Sequence, residues 1–405
     1  MIPRELYLKQ LCDYIDKPVI KVITGIRRCG KSALLLMLRD ELLKRGIDEQ
    51  HLIHLNFESL ENSDKDKADI LYKFIKAKIK DKKRYYILLD EIQEVDQWEK
   101  AVNSFFVDFK ADIYITGSNS HMLSSELATY LAGRYAEINI STLSFAEYLL
   151  FRQVLSGKKH ADIRKMFRNF MRSGGFPVLH VADYTEETAG RLVYDIYSSI
   201  ILRDVVQRNN IRDVELLERV VRYVFDNVGN KFSARNVADY FKSQQRKIDL
   251  NTVYNYLNAL EGAFIIYRVP RYDIKGKEIL KTLEKYFVGD PGLIHAVTGF
   301  RDRNISGLLE NIVLLELKRR GFRVFTGSSD EREIDFVAER GDKKIYVQVS
   351  FLMEARSTVD REFTPLLEIR DQHPKYVVTM DEIWHDNIEG ITHMHIADFL
   401  LAEEY

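Results

Sequence analysis

The chain has 405 residues, which at about 150 residues per domain is enough for two or three domains. Its 60 basic and 61 acidic side chains leave a net charge of −1, so no overall positive field draws it to nucleic acid or to acidic membranes. A hydrophobic content of 46%, with 20 glycines and 7 prolines, excludes collagen-like, disordered and low-complexity classes.

Cysteine usage and the spacing of apolar residues indicate the compartment. Cys12 and Cys29 are too few for a disulfide framework or an unaided zinc site, so a reducing environment is expected. Charged residues interrupt the N-terminal segment, so no signal peptide is predicted. The apolar runs are far shorter than the roughly 20 residues that a membrane helix requires. We therefore expect a cytoplasmic protein without a membrane partner.

The first 150 residues alternate short β-branched or aromatic runs with helical patterns, which is typical of a parallel sheet with crossover helices. Strands are predicted at 19–24, 51–57, 85–89, 112–116 and 135–140. Helices are predicted between them at 32–43, 66–79, 97–109 and 122–131. The pattern predicts a doubly wound α/β domain over residues 1–150.

Three further domains are predicted after this one. Two helices, at 163–172 and 186–206, predict a helical lid over 151–212, with a Gly- and Pro-containing breaker cluster at 173–177. Three short helices and two strands predict a winged helix over 213–290; they are expected at 214–227, 233–242, 251–260, 263–269 and 284–289. A helix and several strands predict a second α/β unit over 291–405; they are expected at 306–320, 322–325, 333–339, 343–350, 376–380 and 390–396.

A phosphate-binding motif stands at the first strand-to-helix junction. The segment 25–32 matches G-x-x-x-x-G-K-[ST], in which glycines let backbone N–H groups wrap the β- and γ-phosphates. Lys31 would neutralise phosphate charge and Ser32 would hold Mg²⁺. The alternative, a glycine-rich turn with a surface lysine, fits the strand–loop–helix context less well. The predicted cofactors are ATP and Mg²⁺, and the predicted nucleotide-binding residues are Gly25, Arg28, Gly30, Lys31, Ser32 and Ala33.

A second acidic motif completes this site. The apolar strand at 85–89 ends in Asp90 and Glu91. Such a strand delivers Asp90 to the Mg²⁺ ion and Glu91 to the water that attacks the γ-phosphate. Many strands end in Asp-Glu at a loop, so the pair gains its meaning from the upstream phosphate loop. A neighbouring Mg²⁺ keeps both carboxylates ionised.

Two other positions are candidates for catalytic roles. The strand at 112–116 leads into small polar residues, of which Ser118 or Asn119 is predicted to orient the water beside the γ-phosphate. The alternative is a turn rich in Ser and Asn. Arg134 precedes the fifth strand and either reaches the γ-phosphate of a neighbouring subunit in a homo-oligomer or is a plain surface arginine.

These residues resemble those of a bacterial and archaeal family of AAA+-type ATPases. In that family a P-loop ATPase is joined to a winged helix and to a C-terminal PD-(D/E)XK nuclease-like domain of unknown function. The resemblance covers nearly the whole chain and is carried by the segments 25–32, 88–93, 116–120, 131–134, 143–148 and 174–177. It implies Walker A, Walker B, sensor 1 and arginine-finger roles for the matching positions. No sensor 2 arginine is assigned in the lid.

The C-terminal segment resembles a degenerate nuclease core. Glu310 on a helix, Asp335 on a strand and Gln348 on the next strand follow the order of PD-(D/E)XK enzymes. Active members bind Mg²⁺ through three acids and use a lysine to activate water. Here Gln348 replaces an acid and Ser350 replaces the lysine, so metal affinity and water activation both fall. We expect a domain kept for packing or partner binding rather than a working nuclease.

The predicted winged helix has two alternative roles. Asn251, Thr252 and Asn255 on its recognition helix are suited to face DNA. The wing region at 264–285 holds six basic and three acidic side chains, which is a modest patch. Winged helices also serve as protein–protein or interdomain modules, and both roles stay open.

The sequence therefore predicts an Mg²⁺-dependent ATPase that couples ATP binding and hydrolysis to domain rearrangement and to binding of DNA or a protein partner. One alternative is a slowly hydrolysing, nucleotide-gated binding switch. Another is an ATP-regulated nuclease.

Overall fold

The computed structural model describes residues 1–120, 133–158, 162–244, 248–299, 305–329, 332–353, 355–382 and 387–405. The helix predicted at 122–131 lies outside these ranges. The chain divides into two compact units, of which the first is Met1–Ser141 with Gly262–Phe264 and the second is Thr142–Glu261 with Ile265–Tyr405. No helix in the described ranges is both long enough and apolar enough to cross a membrane.

The first unit is built on a parallel sheet of five strands. They are β1 (Ile20–Thr24), β2 (Leu52–Asn56), β3 (Tyr85–Asp90), β4 (Ala111–Gly117) and β5 (Tyr135–Asn139). Their order across the sheet is β2-β3-β4-β1-β5, and every neighbouring pair is parallel. β1 and β3 are buried along their whole length, as expected for strands covered on both faces. The predicted α/β fold class is confirmed.

Four helices of the described ranges accompany this sheet, namely α1 (Glu5–Asp13), α2 (Lys31–Lys44), α3 (Ala68–Lys78) and α4 (Trp98–Asp108). Apolar side chains of α3 and α4 pack with those of the sheet strands in one core cluster. The strands and helices predicted for this unit within the described ranges match the observed bounds to within two residues. Helical and strand periodicities are local signals, which is why the sequence carries them.

The second unit begins with helices. The described ones after residue 141 are α5 (Phe145–Ser156), α6 (Ile163–Ser173), α7 (Glu186–Ile200), α8 (Val214–Asp226), α9 (Ala234–Ser243), α10 (Leu250–Gly262), α11 (Pro291–Thr298), α12 (Ile305–Arg319), α13 (Arg356–Leu367) and α14 (Ile396–Leu401). α5 starts at a capping box in which Ser144 and Glu147 satisfy each other's backbone N–H groups. A π-helical turn, Ile201–Gln207, continues α7, so the predicted helix 186–206 is not α-helical to its end.

The breaker cluster at 173–177 folds around a buried carboxylate. Asp290 Oδ2 accepts a hydrogen bond from the Gly175 N–H at 2.8 Å, and its Oδ1 accepts one from the Gly292 N–H at 2.8 Å. Gly174 has a φ of 71°, and a Cβ there would lie 2.0 Å from Asp290 Oδ1. Only glycine fits at this position, so the motif has a packing explanation.

A mixed sheet of nine strands forms the rest of the second unit. They are β6 (Lys231–Phe232), β7 (Ile266–Asp273), β8 (Glu278–Val288), β9 (Arg323–Ser329), β10 (Arg332–Arg340), β11 (Lys343–Val349), β12 (Lys375–Thr379), β13 (Asn387–Ile388) and β14 (Ile391–His395). The order is β13-β14-β12-β11-β10-β9-β7-β8-β6. α13 packs its apolar residues with those of β10 to β12 and β14 in a second core cluster.

The hairpin of β7 and β8 is longer than the sequence predicts and belongs to this large sheet. The predicted strands at 263–269 and 284–289 are observed as Ile266–Asp273 and Glu278–Val288. The charged residues of the 273–278 segment, which are typical of a loop, belong to the hairpin turn and to the pair Asp273–Glu278 that closes it. β7 pairs in parallel with β9, so hairpin strands and C-terminal strands share one hydrogen-bonded sheet.

Candidate functional site

The loop between β1 and α2 has the shape that phosphate binding requires. Gly25 has a φ of 151°, and a Cβ there would lie 2.1 Å from the carbonyl oxygen of Ile140. Gly30 has a φ of 105° and stands immediately before α2. Arg28, at a φ of 64°, is exposed, and Ala33 is half-buried in the first turn of α2. The glycines are therefore required by geometry at the positions where the motif predicts them.

Lys31 turns its ammonium back toward the loop and the neighbouring strand. The side chain is buried, and Nζ donates to the carbonyl oxygen of Gly25 at 3.2 Å. The same Nζ lies 3.4 Å from Glu91 Oε1. The Walker A lysine and the second Walker B acid are thus in direct electrostatic contact.

Asp90, at the end of β3, is held by three polar neighbours. Thr116 Oγ1 donates to Oδ1 at 2.6 Å, Asn56 Nδ2 donates to Oδ2 at 3.1 Å, and the Ser32 hydroxyl also bonds the carboxylate. Burial raises the pKa of Asp90, while the bonds from Ser32 and Thr116 oppose that rise. Ser32 and Asp90, the two predicted metal residues, therefore meet in the folded chain.

Glu91 adopts a left-handed backbone conformation with a φ of 53°. Its N–H donates to Thr116 Oγ1 at 2.8 Å, and its Oε2 accepts from Gln93 Nε2 at 2.5 Å. Burial alone would raise the pKa of Glu91, but the Lys31 ammonium and the Gln93 bond outweigh it and lower the pKa. The carboxylate is thus ionised at neutral pH and able to accept a proton.

Thr116 is a residue of this site that sequence reasoning missed. Its hydroxyl donates to Asp90 and accepts from the Glu91 N–H, so one oxygen fixes both acids. β4, which carries Thr116, is hydrogen-bonded to β3 over its neighbouring positions. In the sequence, Thr116 is marked only by its hydroxyl near the end of an apolar strand.

Ser118 and Asn119 follow β4 and are buried. Gly117 pairs with Thr24 across the sheet, so the segment after it shares the carboxyl edge of the sheet with the phosphate loop. The structure brings these two residues to the correct edge. Their role as water-orienting groups stays a prediction.

Arg134 lies at the other edge of the same sheet. Its carbonyl oxygen accepts the Ile20 N–H at 2.8 Å, and its exposed guanidinium donates to Asn103 Oδ1 at 3.2 Å. Arg134 is bonded to Ile20, the first residue of β1, whereas the phosphate loop follows Thr24, the last residue of that strand. These two ends of β1 are about 13 Å apart at about 3.3 Å per residue. The structure does not bring Arg134 to the phosphate loop of its own chain, and residues 131–132 of the same motif lie outside the described residues.

A buried arginine supports the phosphate loop from the N-terminal segment. Arg4 Nη1 donates to the carbonyl oxygens of Cys29, at 2.9 Å, and Ser141, at 3.0 Å. Its guanidinium also lies 4.7 Å from the centre of the Tyr7 ring. Arg4 is far from the motif in sequence, and no local pattern points to it.

The predicted nuclease-like residues also come together, within the second unit. Glu310 and Asp335 both contact the ammonium of Lys285, at 3.0 and 3.4 Å. Ser350 stands at the position of the motif lysine, and β8 supplies an ammonium to these acids from outside the motif. Within the described ranges, no group of three or more His, Cys, Asp or Glu side chains is arranged to hold a metal ion.

Comparison with known proteins supports an ATPase fold for the first unit. A family model described as an AAA domain matches residues 17–149, and a domain of unknown function, DUF8612, matches residues 164–304. The chain is similar in fold to the Walker-type ATPase PABY2304 of Pyrococcus abyssi, with a TM-score of 0.53 and 15% identity, over 73% of this chain and 96% of that one.

Two relatives align over most of the chain. An uncharacterized protein of Haemophilus influenzae is 40% identical over 402 residues, which are 99% of each chain. Uncharacterized protein MJ1544 of Methanocaldococcus jannaschii is 32% identical over 342 residues, which are 82% of this chain and 74% of the relative.

Proposed function

Because the chain belongs to the same family as the Haemophilus influenzae protein and carries an AAA domain, we propose that it binds ATP with Mg²⁺ and hydrolyses it. The observation that carries this proposal is the contact of the two Walker motifs. Lys31 lies 3.4 Å from Glu91, and Ser32 is bonded to Asp90. Both motifs therefore face one point at the carboxyl edge of the parallel sheet, where α/β proteins bind ligands.

Each residue of the site has a defined role in this proposal. Backbone N–H groups of the loop at 25–32 and the N-terminus of α2 bind the phosphates, and Lys31 neutralises their charge. Ser32 and Asp90 hold Mg²⁺, whose hard oxygen preference fits a hydroxyl and a carboxylate. Bound Mg²⁺ would neutralise charge that develops on the phosphate oxygens. Glu91, ionised and aimed by Thr116 and Gln93, accepts the proton of the attacking water.

Binding is tested by Lys31→Ala. We expect this variant to lose affinity for a fluorescent ATP analogue, because the ammonium that neutralises phosphate charge is removed. Lys44→Ala at the end of α2 is the matched control and should bind like the wild type. Binding by Lys31→Ala at wild-type affinity would remove the phosphate-loop assignment.

We propose that Arg134 acts, if it is catalytic, on the nucleotide of a neighbouring subunit. Its position at the opposite sheet edge supports this over a role in its own site. Mixing Arg134→Ala with Glu91→Gln protein tests it, since a mixed oligomer pairs an intact arginine with an intact Glu91. Turnover should be partly restored, and complete absence of rescue would contradict a role across an interface.

We further propose that the predicted lid (151–212), winged helix (213–290) and nuclease-like domain (291–405) bind a partner and move with nucleotide state. Two observations support an interdomain role for the wing rather than DNA binding. β7 pairs with β9, and the basic side chains of Arg268 and Lys285 contact acids of the second unit. Arg268 lies 3.4 Å from Glu261 and 3.8 Å from Glu284, and Lys285 is buried among acids.

DNA and a protein remain the two candidate partners, and one assay separates them. ATP turnover is measured with and without double-stranded and single-stranded DNA. Because the β7–β8 hairpin is part of the large sheet and its Arg268 and Lys285 contact acids, we expect turnover that does not respond to DNA. Stimulation by either form of DNA would contradict the interdomain role and favour a DNA-directed function.

A further inference from the structure

A buried lysine stands at the centre of three carboxylates in the second unit. Lys285, on β8, is only 3% exposed. Its ammonium lies 3.0 Å from Glu310 Oε2 on α12 and 3.4 Å from Asp335 Oδ1 on β10. Glu333 Oε1, also on β10, lies 2.8 Å away. This acidic cluster, defined as Glu310, Glu333 and Asp335, includes two of the three positions at which active members of the nuclease family bind a divalent metal, namely Glu310 and Asp335.

We propose that the Lys285 ammonium is the resident cation of the acidic cluster and takes the place of the divalent metal. The ammonium is surrounded by carboxylate oxygens from two elements, as a metal ion would be, although it carries one positive charge instead of two. The inference concerns the second unit and is independent of the proposed ATP hydrolysis.

The remaining ligands of a metal site are committed to other bonds. Asp335 Oδ2 accepts the Val349 N–H at 2.9 Å, while its Oδ1 faces Lys285. Gln348 Oε1 accepts the Asp335 N–H at 3.2 Å, and its Nε2 donates to Glu362 Oε2 at 2.7 Å. Gln348 thus spends both ends of its amide on holding neighbouring groups. With the Lys285 ammonium in place, the residues present do not fit a divalent metal.

Two lysines offset most of the negative charge of the cluster. Burial alone would lower the pKa of Lys285, but the carboxylates of Glu310, Asp335 and Glu333 outweigh it and raise the pKa, so the ammonium stays charged. A second lysine, Lys231 on β6, lies 2.9 Å from Glu333 Oε2. Buried carboxylates without such partners would be strongly destabilising.

Lys285 also connects the β7–β8 hairpin to α12 and β10 through its ion pairs. The hairpin contributes the cation, whereas α12 and β10 contribute the anions. Removing the cation leaves three carboxylates facing one another in a buried site. A divalent ion that prefers oxygen ligands would then offset the repulsion between them.

The test uses Mn²⁺ as the probe and the full chain without nucleotide. Thermal unfolding and Mn²⁺ electron paramagnetic resonance are measured for the wild type and for Lys285→Met. In the wild type, Mn²⁺ should not bind at the acidic cluster and should not raise Tm through it. Lys285→Met should have a Tm lower by about 5–10 °C, because a buried charge group has lost its partner, and Mn²⁺ should restore part of it. Lys275→Met, an exposed lysine of the same hairpin, should behave like the wild type.

Two further variants separate charge from shape. Lys285→Arg keeps a cation and should gain no Mn²⁺ site, whereas adding Asp335→Asn to Lys285→Met should abolish the Mn²⁺ response. If Lys285→Met does not fold, the wild type is compared with its Asp335→Asn variant, and equal Mn²⁺ binding by the two supports the proposal. Mn²⁺ bound by the wild type and lost in Asp335→Asn would overturn it, as would a Lys285→Met protein of unchanged Tm.

Discussion

Thr116→Val removes one oxygen atom that bonds both Asp90 and Glu91, and its effect follows from these two hydrogen bonds. The hydroxyl donates to Asp90 Oδ1 at 2.6 Å and accepts the Glu91 N–H at 2.8 Å. A hydrogen bond to a charged group contributes about 1.5–3 kcal/mol. Because valine has nearly the shape of threonine, packing is conserved and the bonds alone are lost.

Both losses act on the position of the acids. If the lost bonds stabilise the reacting arrangement, about 1.5–3 kcal/mol corresponds to a fall in kcat of about 10- to 100-fold. The free energy of unfolding should fall by a similar amount, because the Glu91 N–H becomes a buried group without an acceptor. Nucleotide affinity should change little, since Lys31 and the loop are untouched.

The assay combines steady-state ATP hydrolysis in Mg²⁺, binding of a fluorescent ATP analogue and chemical denaturation. Thr116→Ser is the matched control, because it keeps the hydroxyl, and it should retain most of the turnover. A Thr116→Val protein with turnover and stability close to those of the wild type would refute the idea that this hydroxyl positions the acids.

Three other outcomes are expected. Arg4→Met loses the bonds to Cys29 and Ser141, so the free energy of unfolding should fall by about 2 kcal/mol and ATP affinity should weaken. If denaturation and ATP-binding experiments give the same values for the variant and the wild type, Arg4 does not support the phosphate loop. Burial lowers the pKa of His180 from an ordinary 6.5 to about 4, so the folded protein holds the ring in its neutral form. The contribution of this neutral ring to the free energy of unfolding is complete above pH 6.5 and declines as the pH falls toward 4. From pH 7.5 to 5, wild-type stability should fall by about 2 kcal/mol more than that of His180→Gln, and parallel pH profiles would contradict this. The third expected outcome is that ATP turnover is partly restored when Arg134→Ala and Glu91→Gln proteins are mixed.

The sequence carried those parts of the fold and site that depend on neighbours along the chain. β1, the glycines of the loop and α2 form one continuous segment, so the motif predicts both their structure and their chemistry. Asp90 and Glu91 are found by the same reasoning, because an apolar strand that ends in acids is a local pattern.

The rest depends on pairings between distant segments. Arg4 reaches Ser141, and Lys285 reaches Asp335, through contacts that no periodicity encodes. A lysine inside a strand normally predicts an exposed position, whereas Lys285 is buried because the carboxylates around it hold its ammonium in the interior. The parallel pairing of β7 with β9 is set by tertiary packing, so the sequence predicts the hairpin without its place in the large sheet.

The central claim is ATP hydrolysis with Glu91 as the group that accepts the proton. The measurement that tests it most directly is steady-state phosphate release in Mg²⁺ by the wild type and by Glu91→Gln, at saturating ATP, with nucleotide affinity measured alongside. We expect measurable wild-type turnover, near-complete loss of turnover in the variant and unchanged affinity. Equal turnover in both proteins would show that another group activates the water, and tight ATP binding without turnover in the wild type would identify a nucleotide-gated switch.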